Sequence, residues 1–536
     1  MKKYLFVSII LLASILRLYH LGSTPPSLYW DEASLGYNAY SILKTGHDEH
    51  GNFLPLTNFP AFGDYKPPLY IYATVPSIAI FGLSEFGIRF PSVFFGILTV
   101  ALTYFLARKI FKNETVAILA AFFLAISPWH LQLSRGAFEG NLALFFSTLG
   151  IYLFAKFAQD KPAYIFPSAL SFLLAMNTFT AQRLFVPFIL LILAIQFRKQ
   201  ILDNIKVVAV SAVIAGVLFW PLFNFATRTM EGRLRFNEVS IFKDLKPSDE
   251  SIKYRNQDNN PLISRVIHNR RLFYANEYLK HYLDAFNPTF LFTKGDINPR
   301  LSMQEVGELY YVDIALITAG IYFLISKKHK YGFLLLGWLL VSPLGPATAR
   351  ETPHALRMIH ILPTFQLIAA FGLYHLYQKI KVKKIFITAI TLLLVGQFIF
   401  YLHIYYVHWP REYSGEWQYG YKQMVNAIEP LYQEADQIIV TKNLGRPYIY
   451  LLLYLQYPPD KYVQNAKITR DQFYFINVDG FEKFHFVYSQ NEVEQRGNII
   501  YVMPRGGTPS GAQKIEEIKN LKGETVFEIS KISLNQ

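Results

Sequence analysis

The chain contains no cysteine. That absence excludes disulfides, thiolate metal sites and a cysteine nucleophile, and it leaves the compartment unassigned. Charge is scarce too: only 17% of the 536 residues are Asp, Glu, Lys or Arg, against 52% hydrophobic, a balance too apolar for an ordinary soluble protein. Acids are the rarer sign, 38 against 52 cations, for a formal charge of +14. No basic helix and no aromatic-basic platform accompanies this excess, so nucleic acid is excluded as a partner. The sequence also lacks a Gly-rich phosphate loop and a nucleophile elbow. It has no internal repeat and no long low-complexity segment.

What the sequence has is apolar runs. Stretches at 4–21, 88–107, 115–126, 142–157, 163–179, 184–197, 207–223, 311–326, 331–344, 358–377 and 385–407 read as about eleven membrane-crossing helices. The third and ninth are short, as broken or partly buried helices would be. The first, with Lys2 and Lys3 before its apolar middle, has a signal peptide's shape but no small-residue cleavage pattern, and is expected to be retained. Cations recur in alternate connections: Lys2 and Lys3; Arg108, Lys109 and Lys112; Lys156 and Lys161. They continue as Arg198, Lys199 and Lys206; Lys327, Lys328 and Lys330; and Lys379, Lys381, Lys383 and Lys384. The positive-inside rule places all of these in the cytoplasm. The expectation is an integral protein of the cell membrane with a cytoplasmic N-terminus. It has a polytopic all-α membrane domain over 1–407 and a small extracytoplasmic α/β domain over 408–536. In that tail DQIIVT, KFHFVYS and NIIYVMP are strand-like, and EWQYGYKQMVNAIEPLYQEA is helical in period.

The outer connections are then 22–87, 127–141, the large polar loop 224–309, and 345–358. They collect acids and cations at the membrane surface: the adjacent pair Asp31 and Glu32, then Asp64 two residues before Lys66, with Arg17 and Arg89 at helix ends. Arg135 and Glu139 share a short turn, and His354 and Arg357 enter a late helix one turn apart. Singly, each reads best as an interfacial anchor or ion pair; gathered on one face, they point to function. A glycoside hydrolase needs one carboxyl to protonate a poor leaving group. A departing phosphate needs no proton, only cations to hold its charge, and one carboxylate can then serve as base toward an incoming hydroxyl. The inventory fits transfer from a lipid-linked phosphate donor.

These segments in their order resemble the glycosyltransferases of the GT-C fold. RLYHLG precedes the DE pair, KPPLY follows it, and GIRFPSVFFG, SPWHLQLSRGAFEGN and HALRMIHILPTFQLIAAFGL come after. The resemblance is closest to the protein O-mannosyltransferase group (glycosyltransferase family 39) and to the lipid A aminoarabinose transferases, and it covers roughly 1–407. It implies an inverting hexosyl- or pentosyltransferase that takes a sugar from a polyprenyl-phosphate donor on the outer face. The acceptor hydroxyl, on a lipid, glycan or protein, stays open, because the extra soluble module of the eukaryotic protein mannosyltransferases is absent.

By the same resemblance Asp31 matches the base, with Glu32 beside it, and Asp64 falls near the second acid of that loop. Lys66 matches the lysine directed to the donor phosphate. Arg17 and Arg135 match arginines of the mannosyltransferase pattern, and His354 and Arg357 match an H-x-x-R/Y signature. Arg89 joins them as a donor-side cation. The stretch HDEH, with His47 and His50 three apart, is a weak metal candidate; a solvated turn is the plainer reading, and a divalent cation is left open. Two other classes compete. A lipid or sugar transporter or flippase would place its polar residues at mid-membrane, in broken helices and repeats. A surface receptor would leave the outer charges without a shared purpose.

Overall fold

The computed structural model describes residues 2–259, 262–470 and 476–534. The chain is mostly helical, with a sheet domain at its C-terminal end. Each of the eleven apolar stretches is helical. Among the described residues, Glu85–Phe111, Glu139–Gln159, Ile205–Arg228 and Lys383–Glu412 are long and apolar enough to cross a membrane. The pair Ala355–Ile361 and Thr364–Lys379, bent by 51°, makes a fifth if taken as one span. At 1.5 Å per residue a 27-residue helix such as Glu85–Phe111 is about 40 Å long, more than the ~30 Å hydrocarbon core, whereas a 13-residue helix such as Glu114–Ile126 is only about 20 Å. The short third helix is largely buried, as expected. The break falls in the tenth stretch, at Pro363, where proline cannot continue the helix. There the indole of Trp338 donates to the freed carbonyl of His360 at 2.7 Å.

Two compact units make up the chain: Met1–Leu18, Ser92–Ser134 and Phe138–Leu402 form one, and Tyr19–Pro91, Arg135–Ala137 and His403–Gln536 form the other. This division differs from the 407/408 boundary suggested by hydropathy. Hydropathy follows the solvent around a segment, whereas the first outer loop and the tail share one set of contacts.

Within the first unit, the helices Tyr311–Ser326 and Thr364–Lys379 touch backbone to backbone. A Cβ at Gly320 would sit 2.1 Å from the carbonyl oxygen of Ile368, and one at Gly372 would sit 2.1 Å from that of Leu316. Small residues permit such an approach, which is how apolar helices associate where no water drives them together.

The second unit holds a two-stranded hairpin, β1 (Phe59–Ala61) and β2 (Asp64–Lys66), and a seven-stranded sheet. The sheet strands are β3 (Gln437–Thr441), β4 (Lys467–Arg470), β5 (Ile476–Phe481), β6 (Phe484–Val487), β7 (Asn498–Met503), β8 (Gln513–Lys519) and β9 (Thr525–Ser533), in the order β4-β5-β6-β3-β7-β9-β8. The three strand-like runs of the sequence are the adjacent, parallel centre, β6-β3-β7. The long helical period expected over 416–435 is shorter in the structure, with its α-helix at Tyr421–Ile428.

Replacing Gly320 with leucine forces the two helices apart and is expected to cost about 1–3 kcal/mol or more, the scale of an overpacked core. Gly216→Ala, in a helix with nothing within 4 Å of the added atom, should leave stability unchanged or slightly raised. Thermal unfolding in detergent separates the two, and equal melting points would refute the close-approach argument.

Candidate active site

The stretch LYWDEASLGYNAY begins a helix, Trp30–Thr45, with Asp31 and Glu32 in its first turn. Acids suit that position because the first N–H groups of a helix lack intrahelical partners. Successive residues on a helix are rotated by about 100°, so the two carboxylates diverge.

Glu32 turns inward and is fully buried. Its Oε1 accepts from Nε of Arg89 at 2.9 Å and from the Ala137 N–H at 2.7 Å, and its Oε2 accepts from Nη2 of Arg89 at 2.9 Å. Oε2 also accepts the Tyr29 N–H at 3.4 Å. Arg89 spends its remaining N–H groups on the carbonyls of Leu21 (3.2 Å), Pro25 (2.9 Å) and Ser27 (2.5 Å). The Trp417 ring lies 5.6 Å from its guanidinium carbon. A guanidinium has five N–H donors, and all five are used.

Asp31 turns the other way. Nζ of Lys66 donates to its Oδ1 at 2.5 Å and lies 3.9 Å from Asp64 Oδ2. The two aspartate side chains are 27% and 30% exposed and the lysine 10%, so the acids are the accessible members. Asp64 and Lys66 share a face because a strand repeats every two residues. The β1–β2 turn is Phe62-Gly63, both at positive φ (58° and 92°), as the twist of a tight hairpin requires. Glycine adopts this freely; Phe62 is held by the Arg446 guanidinium over its ring at 5.6 Å and by Tyr448 at 5.9 Å.

The tail of the chain meets this helix within the same unit. Gln418 Oε1 accepts the Trp30 N–H at 3.3 Å, and the Tyr450 hydroxyl donates to the Leu28 carbonyl at 3.1 Å. Neither residue stands out in the sequence, where they lie 388 and 422 residues downstream of their partners.

Residues 7–193, which carry Asp31, Glu32, Lys66 and Arg89, match the family model for dolichyl-phosphate-mannose-protein mannosyltransferase. A curated relative, an uncharacterized protein of Aquifex aeolicus (strain VF5), is 32% identical over 172 residues; the match covers 32% of this chain and 32% of that protein, so the chain spans about a third of the relative's length. ArnT from Cupriavidus metallidurans, bound to undecaprenyl phosphate, has a TM-score of 0.57 at 10% identity, over 98% of this chain and 97% of that one. The Archaeoglobus fulgidus oligosaccharyltransferase in complex with Zn and sulfate has 0.53 at 15% identity, over 84% of this chain and 61% of that one. The chain has the GT-C fold.

Within this GT-C chain the expected donor-side arginines do not stand open to solvent. Arg89 is consumed as described. Arg135 is 1% exposed: Nε donates to the Tyr405 hydroxyl at 2.9 Å, and Nη2 donates to the carbonyls of Tyr19 (2.7 Å) and Thr24 (3.0 Å). Arg17, fully buried in the other unit, lies 2.8 Å from Nδ1 of His130 and donates to the carbonyls of Ala13 and Ala125 at 3.2 Å. Each of these three arginines is held by groups of the chain itself and fastens its segments together.

His354 and Arg357 also belong to the first unit. Nδ1 of His354 accepts the Arg357 N–H at 3.4 Å and so caps the helix Ala355–Met358. The Arg357 guanidinium donates to the Glu351 carbonyl at 3.3 Å. Beside them is an acid that the sequence reading missed. Asp296 Oδ2 accepts the Ala355 N–H at 2.5 Å, lies 3.8 Å from His354, and is buried, which pushes its carboxyl up to about 6. Its signal was the turn-forming GDINP.

HDEH is a turn, but not a solvated one, since Asp48 and Glu49 are fully buried. Asp48 Oδ1 accepts the N–H groups of His50 (2.9 Å) and Asn52 (2.8 Å), an Asx-type turn. His47 Nδ1 lies 2.8 Å from the carbonyl of Thr45, two residues earlier, and His50 Nε2 lies 3.9 Å from Glu49. Among the described residues no three His, Asp or Glu groups converge on a metal position. Glu49 receives the Asn38 amide at 3.0 Å, yet burial pushes its carboxyl up to about 8.

The buried pair predicts a stability split. Glu32→Gln leaves the Arg89 charge without its counter-ion and should cost about 3–5 kcal/mol, while Asp31→Asn should leave the fold intact. Melting curves in detergent report the difference directly; matched curves would contradict it. For Glu49 the folded form holds its proton more tightly than the unfolded chain. Its contribution is therefore full below pH 4.5 and is lost as pH rises to about 8. Glu49→Gln should flatten that part of the stability profile, and an unchanged slope would show that Glu49 is not its source.

Proposed function

We propose that this chain is an integral membrane glycosyltransferase that moves a sugar, hexosyl or pentosyl, from a polyprenyl-phosphate donor to a hydroxyl acceptor. The acceptor is a lipid, glycan or protein at the outer face of the cell membrane, and transfer proceeds with inversion. The observation that carries this reading is the Asp31–Lys66 pair, an accessible carboxylate and a cation 2.5 Å apart on a braced helix and hairpin. It lies in the segment that matches the mannosyltransferase family, and the similarity in fold to ArnT, described as bound to undecaprenyl phosphate, supports a polyprenyl-phosphate donor.

On this reading Asp31 takes the proton of the acceptor hydroxyl as that oxygen bonds to the anomeric carbon. The carbon–oxygen bond to phosphate breaks on the opposite side, which inverts the centre. Polyprenyl phosphate departs without needing a proton, and Lys66 holds its charge. Asp64, 3.9 Å from Lys66 on the same strand face, keeps the ammonium aimed at that position. Glu32 and Arg89 hold the helix that presents Asp31. About eleven spans put the N-terminus in the cytoplasm and residues 408–536 outside.

The test is turnover of a panel of labelled polyprenyl-phosphate sugars by the purified protein in lipid. Asp31→Asn should slow transfer by roughly a hundredfold or more, the scale of general base catalysis. Lys66→Gln should weaken donor binding, and Lys66→Arg should restore only part of it, because the two cations differ in shape. Near-native transfer by Asp31→Asn would remove it from the base role. Unimpaired lipid movement in that variant, with no sugar donor consumed, would favour a transporter. The topology is checked with single cysteines, since the chain has none. An impermeant reagent that failed to reach one placed after His408 in intact cells would reverse the orientation.

A further inference from the structure

The loop between the helices Ile205–Arg228 and Tyr311–Ser326 reads as polar, yet its helices turn apolar side chains outward. In the short helix Leu262–Ile267, the side chains of Leu262, Ile263, Val266 and Ile267 are 79%, 71%, 69% and 56% exposed. Offsets of one, four and five residues put these four on one helical face. Ser264, on the other side, is buried and donates to Asp258 at 2.8 Å. The usual arrangement is inverted: the polar group faces the protein and the aliphatic groups face away. The next helix, Arg270–Asp284, repeats the pattern, with Leu272, Leu279 and Leu283 more than half exposed at offsets of seven and eleven residues, a single stripe. Contiguous exposed apolar surface of this kind marks an interaction site.

Charge decides the partner. Around the helix Leu262–Ile267, from 253 to 271, the cations are Lys253, Arg255, Arg265, Arg270 and Arg271 and the one acid is Asp258, while Asp249, Glu250, Glu277 and Asp284 lie toward the two ends of the segment. An aliphatic face flanked by cations matches a bilayer interface with anionic headgroups. Chain continuity agrees. The preceding helix, Ile205–Arg228, exposes Val213, Val217, Leu218 and Trp220, as a lipid-facing span does, and Trp220 lies 5.5 Å from the Arg228 guanidinium at its end. Aromatic and cationic residues together mark the level at which a helix leaves the hydrocarbon.

We infer that residues 246–259 and 262–284 lie on the bilayer surface at which the helix Ile205–Arg228 ends, with the Leu262–Ile267 face and the Leu272–Leu283 stripe sunk among the lipid chains and the cations paired with anionic lipid phosphates. The loop is then a membrane-lying shelf rather than a water-exposed domain.

Single cysteines at Ile263, Val266 and Leu279 in the full-length chain, with a control at Glu524 on an exposed strand connection, can carry an environment-sensitive fluorophore. The proteins are placed in phosphatidylglycerol-containing vesicles, and quenching by shallow spin-labelled lipid is compared with quenching by aqueous iodide. At the burial depth of an interfacial helix, labels at 263, 266 and 279 should be quenched roughly threefold more by the lipid quencher, and the control should show the reverse. Arg265→Gln, Arg270→Gln and Arg271→Gln combined, or high salt, should reduce lipid quenching in the anionic vesicles. Iodide quenching equal to the control would overturn the inference. So would shielding from both quenchers, which means a protein cover, or shielding that grows with protein density, which means a second copy. Equal lipid quenching in vesicles with and without phosphatidylglycerol would overturn the role of the cations.

Discussion

The arrangement of the candidate site depends on one buried ion pair, Glu32 with Arg89. Taking two such charges out of water costs several kcal/mol each, and the pair persists because nothing in it is left unsatisfied. Every N–H of the guanidinium has an acceptor, and both carboxylate oxygens have two donors. The result is geometric as much as energetic. The pair pins the loop carbonyls of Leu21, Pro25 and Ser27, the start of the helix Trp30–Thr45, the first turns of the helix Glu85–Phe111, and Ala137. With Glu32 fixed inward, helical rotation leaves Asp31 a different direction, toward Lys66. The buried acid sets the aim of the accessible one.

The contrast between cations follows the same logic. A guanidinium is a planar fork with five donors, suited to gathering several carbonyls at once. Arg89 and Arg135 each do this, and Arg17 joins a histidine ring to two carbonyls. Lysine is a compact point charge on a flexible stem, able to exchange one anion for another. Lys66 is set against two partly exposed aspartates.

Much of this was legible in the sequence, and the misses have physical causes. The apolar runs locate the four helices, and the bent pair, that are long and apolar enough to cross a membrane among the described residues, because hydrophobic composition is what a bilayer demands. The short apolar helix Leu69–Phe81 lies inside a segment that reads as a loop. The three strands recognised in the tail are the ones buried on both faces at the centre of the sheet, where continuous apolar runs are required. The two edge strands carry no such run, since β4 is exposed throughout and β8 nearly so. The DE pair and Lys66 stand out in the sequence because their residue types suit the chemistry, and the fold brings Asp31, Asp64 and Lys66 together. A sequence displays charge but not burial, so the enclosure of Arg17, Arg89 and Arg135 is visible only in the fold. HDEH reads as a solvated turn because its residues are polar, whereas the fold closes over Asp48 and Glu49. Asp296 is silent in the sequence because a lone acid in a turn carries no sign of the helix end it meets, that of Ala355.

The tail's part in the site could not be read from any local pattern, yet it answers a local deficit. The helix that carries Asp31 begins after Tyr29, a residue without the short polar side chain that usually caps a helix, so its first N–H groups need partners from elsewhere. Glu32 reaches back to one of them, the N–H of Tyr29 itself. Gln418 supplies an acceptor for the next, on Trp30, while Tyr450 fixes the preceding carbonyl of Leu28. Tyr450 is in turn stacked on Tyr421, with ring centroids 4.1 Å apart, so the contact is made by a rigid pair rather than by a free side chain. A weak local start has therefore been completed by residues from the far end of the chain. The sheet domain belongs to the structure of the acidic helix, and the orientation of Asp31 rests on the tail as much as on its own segment.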